Sequence, residues 1–267
     1  MLKVYLLGKT VFQYTEGNHE PFRKSLRLSI LGYLIRTRKP VSRKRLSKIF
    51  WPHLSDANSR TYLRNILARL KADFSPWLEI DRETIFFNGS HSCTIDLYEL
   101  ERILDRYDQV DFTELTEGQL DEFRKGLHLY EGPFMGDVSR KISPWFEEWL
   151  QTEQQLILNQ VLNGYSKLIE ARIYRKGWEK GIADARRMIS LDQDHQESWL
   201  LLMKCLASSG DLRRAQEAYE RYERTPTADV QLSTVGREMH QLYRKIGQRI
   251  SGINLDFSND NDTNLNK

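Results

Sequence analysis

Ser55-Asp56-Ala57-Asn58-Ser59-Arg60-Thr61-Tyr62-Leu63-Arg64-Asn65-Ile66-Leu67-Ala68-Arg69-Leu70-Lys71-Ala72-Asp73-Phe74 is the stretch on which the fold of this 267-residue chain turns. Ser55 and Asp56 are both good helix caps, and Leu63, Leu67, Leu70 and Phe74 recur at three- and four-residue steps until Ser75-Pro76 breaks the run. With that stripe against a core, Asn58, Thr61, Asn65, Ala68 and Ala72 turn outward. Tyr62 and Arg69 then lie on one shoulder and Arg64 on the other. This face is small, hydrogen-bonding and nearly free of carboxylates, which suits the DNA major groove: Asn can pair with adenine and Arg with guanine through two hydrogen bonds each. The candidate base-reading residues are therefore Asn58, Thr61, Tyr62, Arg64, Asn65 and Arg69. Taken alone, the same helix also reads as an ordinary solvated face with scattered positive charge.

The flanking sequence weighs toward DNA. Apolar positions from Phe22 to Thr37 predict a first helix, stopped by Lys39-Pro40. Ser42 stands as N-cap to a second short helix, Arg43 to Phe50, ended by Trp51-Pro52. Before these, Lys3 to Tyr14 predicts one or two antiparallel strands leading into the polar turn Thr15 to Glu20. After Pro76, Trp77–Asp81 and Thr84–Asn88 alternate about a turn at Arg82-Glu83, a hairpin and candidate wing. Two helices, a third with a groove-compatible face and a hairpin make a winged helix-turn-helix. Arg43, Lys44, Arg45, Lys48, Arg60, Lys71 and Arg82 are then expected to hold phosphates, setting affinity and salt dependence but not sequence choice.

Charge follows the same division. The net charge of +3 conceals 16 Lys and Arg against 4 Asp and Glu in residues 1–74, a net of +12, and 24 against 33 in the remainder, a net of −9. A basic first third suits a polyanion, either nucleic acid or an anionic membrane surface. At 40% hydrophobic and 29% charged residues, the chain fits a soluble globular class, and no stretch is long and apolar enough to span a bilayer. Met1 to Leu7 lacks the features of a secretory signal, so a cytoplasmic location is expected. Cys93 and Cys205 have neither zinc nor Cys-x-x-Cys spacing and read as two reduced thiols. Phosphate-binding glycine loops, a His-Glu-x-x-His pair and a Gly-x-Ser-x-Gly elbow are all missing from the sequence, and His53 and His195 sit singly in polar, turn-like contexts. The reading is accordingly not an enzyme, with no catalytic residue, metal or cofactor assigned.

From Ile95 to about Arg249 the pattern is helical, broken at Gly132-Pro133, Ser143-Pro144 and Thr225-Pro226. A degenerate repeat near the tetratricopeptide period pairs Tyr165 and Leu168 with Trp199 and Leu202, Gly177 with Gly210, and Ala183 with Ala215. The aromatic residues Trp145, Trp149, Tyr165, Trp178, Trp199, Tyr219, Tyr222 and Tyr243 have helical spacing and read as core rather than as a ligand cage. The expected organisation is an α+β winged helix-turn-helix domain at 1–97, an all-α tetratricopeptide-like domain at 98–250 and a disordered tail at 251–267.

These residues resemble the bacterial antibiotic regulatory protein family, which joins an OmpR-type winged helix to a bacterial transcriptional activation domain. The resemblance rests on Val41 to Leu46, Phe50-Trp51-Pro52 and Arg60 to Leu70, then on Thr94-Ile95-Asp96-Leu97-Tyr98-Glu99 and Leu129-Tyr130-Glu131-Gly132-Pro133-Phe134. Ala185 to Asp192 and Gly210 to Ala215 resemble the family's tetratricopeptide-like helices, with Gln193 where a proline is usual. The likeness implies that Arg64, Asn65 and Arg69 meet bases while Arg60 and Trp51 meet the backbone, although Asn65 and Ile66 depart from the commoner residues. It also implies double-stranded promoter DNA and RNA polymerase as partners, and several protomers on direct repeats, with activation as the expected output. The alternative is a protein-interaction scaffold acting through its repeats, with the winged helix binding protein.

Overall fold

A computed structural model of the chain describes residues 1–15, 22–23, 26–138, 142–225 and 233–251. The tail from residue 252, most of the polar turn before residue 21 and Pro226 lie outside the described residues. By packing, the chain divides into two units: Met1–Gln109 with Asp121–Val161, and Val110–Leu120 with Leu162–Lys267.

In the first unit, β1 (Leu2–Tyr5) and β2 (Val11–Tyr14) pair antiparallel from Leu2↔Tyr14 to Tyr5↔Val11. Gly8 between them has φ +120°, a conformation a Cβ would strain, and its N–H donates to Pro133 O at 3.1 Å. β3 (Phe22–Arg23) adds antiparallel to β2, and α1 (Leu26–Thr37) follows, with every residue from Leu28 to Ile35 buried. The helix expected from Phe22 therefore begins at Leu26. Phe22 and Arg23 are held in the ladder opposite Phe12 and Val11, so their backbone groups serve the sheet rather than a helical turn.

β4 (Val41–Ser42) leads into α2 (Arg43–Phe50), whose N-cap Ser42 accepts from Arg45 N at 3.2 Å, as the sequence predicted. α3 (Asp56–Phe74) is capped by Ser55 and buries Leu63, Leu67, Leu70 and Phe74, together with Ser59. One 3-10 turn at Ser75–Trp77 delivers the hairpin β5 (Leu78–Ile80) and β6 (Thr84–Phe87). β4 joins β6 to complete a three-stranded sheet in the order β4-β6-β5.

β7 (Cys93–Ile95), which no periodicity announced, runs parallel to β1, giving the order β3-β2-β1-β7. It ends in α4 (Asp96–Arg106). The Asp96 carboxylate takes over where the ladder stops: it accepts from Leu6 N at 2.9 Å, Leu7 N at 3.0 Å and Leu97 N at 2.7 Å. Burial pushes this carboxyl up to about 6, against the pull of the three amides.

Two further helices follow, α5 (Glu117–Leu127) and α6 (Pro144–Tyr174), the second beginning at the Ser143-Pro144 break read from the sequence. Pro144 opens α6, and Ser143 Oγ accepts from Phe146 N at 3.1 Å while donating to Ile49 O of α2. Within the first unit, Tyr33 of α1 packs edge-on to Trp149 at 4.7 Å, and Phe50 meets Phe146 at 5.0 Å. Arg36 of α1 bridges Glu101 at 3.0 Å and Glu153 at 2.7 Å, tying α1 to α4 and α6. Trp145 is 41% exposed and departs from the expected core role.

The second unit holds α7 (Trp178–Leu191), α8 (Gln196–Ser208), α9 (Leu212–Glu223) and α10 (Thr234–Ile250), each packed on the next. Tyr165, Trp199, Ala215, Tyr219 and Tyr222 are buried as expected of interlocking helix pairs. Ala183, matched to Ala215 in the repeat, is exposed; Ala185 holds the buried position instead, because the two turns fall out of phase. Both cysteines are free thiols. Among the described residues, no helix is long and apolar enough to cross a membrane.

Candidate nucleic-acid interface

The basic side chains of the first unit are arranged by three local devices. Asp81 builds the hairpin turn: its carboxylate accepts from Thr84 N at 2.6 Å, Thr84 Oγ1 at 2.8 Å and Glu83 N at 2.7 Å. These bonds, Thr84's first, hold the Asp81 carboxyl below its ordinary range. Arg82 is thereby presented, exposed, at the tip of the turn.

The same turn anchors the start of α2. Arg43 N donates to Glu83 O at 2.8 Å, and its guanidinium donates to Asp81 O at 2.5 Å. Lys44, Arg45 and Lys48 remain exposed along α2. The third device is the cap of α3, where Ser55 Oγ accepts from Asn58 N at 3.4 Å and starts the helix at the base of the cleft.

Between α2, α3 and the hairpin tip lies a cleft of about 320 Å³. Arg43, Lys44, Lys48, Arg60, Arg64 and Arg82 line it, against one carboxylate, Asp56, and one apolar side chain, Leu63. Ser47 also lines it; this residue is 4% exposed and its buried hydroxyl has no hydrogen-bond partner. That hydroxyl is an unsatisfied polar group buried in the cleft wall. Nothing in the sequence pattern marks Ser47, since its role depends on α3 closing over α2.

The outward face of α3 carries Asn58, Thr61, Tyr62, Arg64, Asn65 and Arg69, all exposed. Among the described residues, the side chains of Arg64, Asn65 and Arg69 have no ion pair or hydrogen bond. Thr61 Oγ1 donates to Ala57 O at 3.0 Å, which leaves its lone pairs free to accept. Tyr62 is 55% exposed and stacks on Trp51 at 6.3 Å. Trp51 itself is only 8% exposed, so most of its ring serves packing.

The geometry also divides the face. Arg64 shares the cleft with the residues expected to hold phosphates, and Arg69 and Asn65 do not line it. Arg60 Nε donates to Asp56 O at 2.9 Å, a bond that steadies its guanidinium at the cleft mouth. Lys71 and Arg45 are exposed but do not line the cleft.

Comparison with known proteins adds a family. Residues 95–247 match the family described as Bacterial transcriptional activator domain. The match begins at the end of β7 and leaves the basic first 94 residues outside it. A solved structure of Mycobacterium tuberculosis EmbR in complex with a low affinity phosphopeptide shares the fold, with a TM-score of 0.68 and 18% sequence identity. The alignment covers 96% of this chain and 66% of the EmbR chain. No curated protein matches.

Proposed function

The chain belongs to the bacterial transcriptional activator domain family, and on that premise we propose that it is a transcription regulator that binds duplex promoter DNA. In this reading residues 1–97 are a winged helix-turn-helix domain, and residues 98–250 are the helical domain through which the regulator meets its partner. α3 enters the major groove, where Asn58, Thr61, Tyr62, Asn65 and Arg69 read base edges and Arg64 spans bases and backbone. Arg43, Lys44, Arg45, Trp51, Arg60, Lys71 and the hairpin's Arg82 hold phosphates. RNA polymerase as the partner, activation as the output, a cytoplasmic location and several protomers on direct repeats complete the proposal and rest on the family resemblance.

The observation that carries it is the combination on α3. Asn and Arg side chains stand exposed and unpaired beside a cleft with six cations and one carboxylate. An ordinary surface helix balances its charges with neighbouring acids; this one leaves them unspent.

A salt titration of binding to duplex DNA tests the reading. With about six phosphate contacts per protomer, the slope of log K against log salt should be near −5. Arg64→Ala with Arg69→Ala should weaken binding at least about 30-fold, as two guanidinium contacts to DNA imply. Binding that is absent, or indifferent to salt, would refute it.

A further inference from the structure

The hairpin that carries Arg82 closes its turn with a side chain. Two-residue hairpin loops most often use Gly, Asn or Asp at positive φ, because that geometry matches the twist of the flanking strands. Arg82 and Glu83 supply none of these residue types, and neither stands at positive φ. Asp81 provides the closure instead. Its N–H donates to Thr84 O at 3.1 Å, but the return bond is taken by its carboxylate: Thr84 N donates to Asp81 Oδ1 at 2.6 Å. Glu83 N donates to the same oxygen at 2.7 Å, and Thr84 Oγ1 donates to Oδ2 at 2.8 Å. Asp81 O accepts from the Arg43 guanidinium at 2.5 Å, while Arg43 N donates to Glu83 O at 2.8 Å.

One carboxylate therefore stands behind two cations. Arg82 is the exposed residue of the loop it closes, and Arg43 is bonded to the carbonyl of the same residue. Both line the α2–α3 cleft. We infer that Asp81 is a positioning residue for DNA binding, acting through Arg43 and Arg82 and not on the DNA itself. This role deepens, and rests on, the proposed reading of that cleft as a seat for backbone phosphates. Charge alone predicts the opposite sign. An exposed carboxylate near a phosphate seat repels a polyanion, so its removal should tighten binding. A turn that aims two guanidinium groups should act the other way, because losing the turn loses their preorganised phosphate contacts.

Anisotropy titrations of the full chain with a labelled random-sequence duplex, over a range of salt concentrations, test it. Asp81→Asn drops the charge but keeps an oxygen for the two amide donors, and should bind no more than about 3-fold more weakly than the wild type. Asp81→Ala drops both and should bind at least about 10-fold more weakly, with a salt slope shallower by about two, the loss of two phosphate contacts. In a background of Arg43→Ala with Arg82→Ala, adding Asp81→Ala should cost no further affinity. Should Asp81→Ala lower the melting temperature, Asp81→Glu serves in its place: it keeps the charge, moves the oxygens off the turn and should weaken binding in the same way. Binding by Asp81→Ala as tight as the wild type, an unchanged slope, an equal loss in Asp81→Asn, or a loss that persists without Arg43 and Arg82 would overturn the inference and leave the DNA reading standing. Absence of salt-sensitive binding by the wild type would overturn both.

Discussion

Of the 19 residues of α3, five are buried, and Asn58, Arg60, Thr61, Tyr62, Arg64, Asn65, Arg69 and Lys71 are among those exposed to solvent; of the 13 residues of α8, eight are buried, including Trp199, Leu200, Leu201 and Leu202 in succession. α8 is enclosed because α7, α9 and α10 all pack on it. α3 packs along one stripe and leaves the rest of its circumference uncovered. In α8 most side chains are fold determinants. In α3 the fold needs Leu63, Leu67, Leu70 and Phe74, and the exposed positions can be chosen for a partner at little cost to stability.

The largest effect expected from that contrast lies in α8. Leu201→Ala should lower the unfolding free energy by about 3 kcal/mol, since a buried leucine loses both transfer energy and packing partners. Urea unfolding would measure it, and a change below about 1 kcal/mol would mean that α8 is less enclosed than its burial implies.

Asp96 lies between core and surface, and its effect should depend on pH. A carboxyl raised from its ordinary range to about 6 makes the folded state bind protons more readily than the unfolded one. Stability from this group should therefore be fully present at low pH and fall as pH rises from about 4 to about 6. Relative to Asp96→Asn, the wild type should lose on the order of 2–3 kcal/mol across that window. Unfolding curves of both proteins at several pH values would show it; parallel pH profiles would contradict it.

The smallest effects on folding belong to α3. Asn58→Ala, Asn65→Ala or Lys71→Ala should shift stability by less than about 0.5 kcal/mol. Lys71→Ala should reduce the salt slope of DNA binding by about one and weaken all duplexes alike. A large thermal shift in any of the three, read by circular dichroism, would show that the face serves packing after all.

The parts of the molecule legible in sequence are those whose cause is local. Ser42 and Ser55 cap the helices they precede, the leucine stripe of α3 is its buried face, and Arg82-Glu83 forms the hairpin turn, because capping, periodicity and turn chemistry each act within a few residues. β4 and β7 escaped notice because two or three residues carry no period, and β7 pairs with a strand some ninety residues away. Phe22 misled for a related reason: it continues the four-residue step back from Leu26, yet the ladder with Phe12 claims its backbone. The exposed α3 residues could be named from one helix alone. Ser47, by contrast, becomes a cleft residue only when α3 lies over it.

The central claim is that α3 reads sequence while the cleft beside it supplies affinity. Selection of bound fragments from random-sequence duplexes, run with the wild type and with Asn58→Ala, Asn65→Ala and Arg69→Ala combined, separates these two roles. The account predicts that the wild type enriches a shared motif, and that the variant, melting at the same temperature, still binds duplexes in a salt-sensitive way but enriches none. Enrichment of the same motif by both proteins would contradict it.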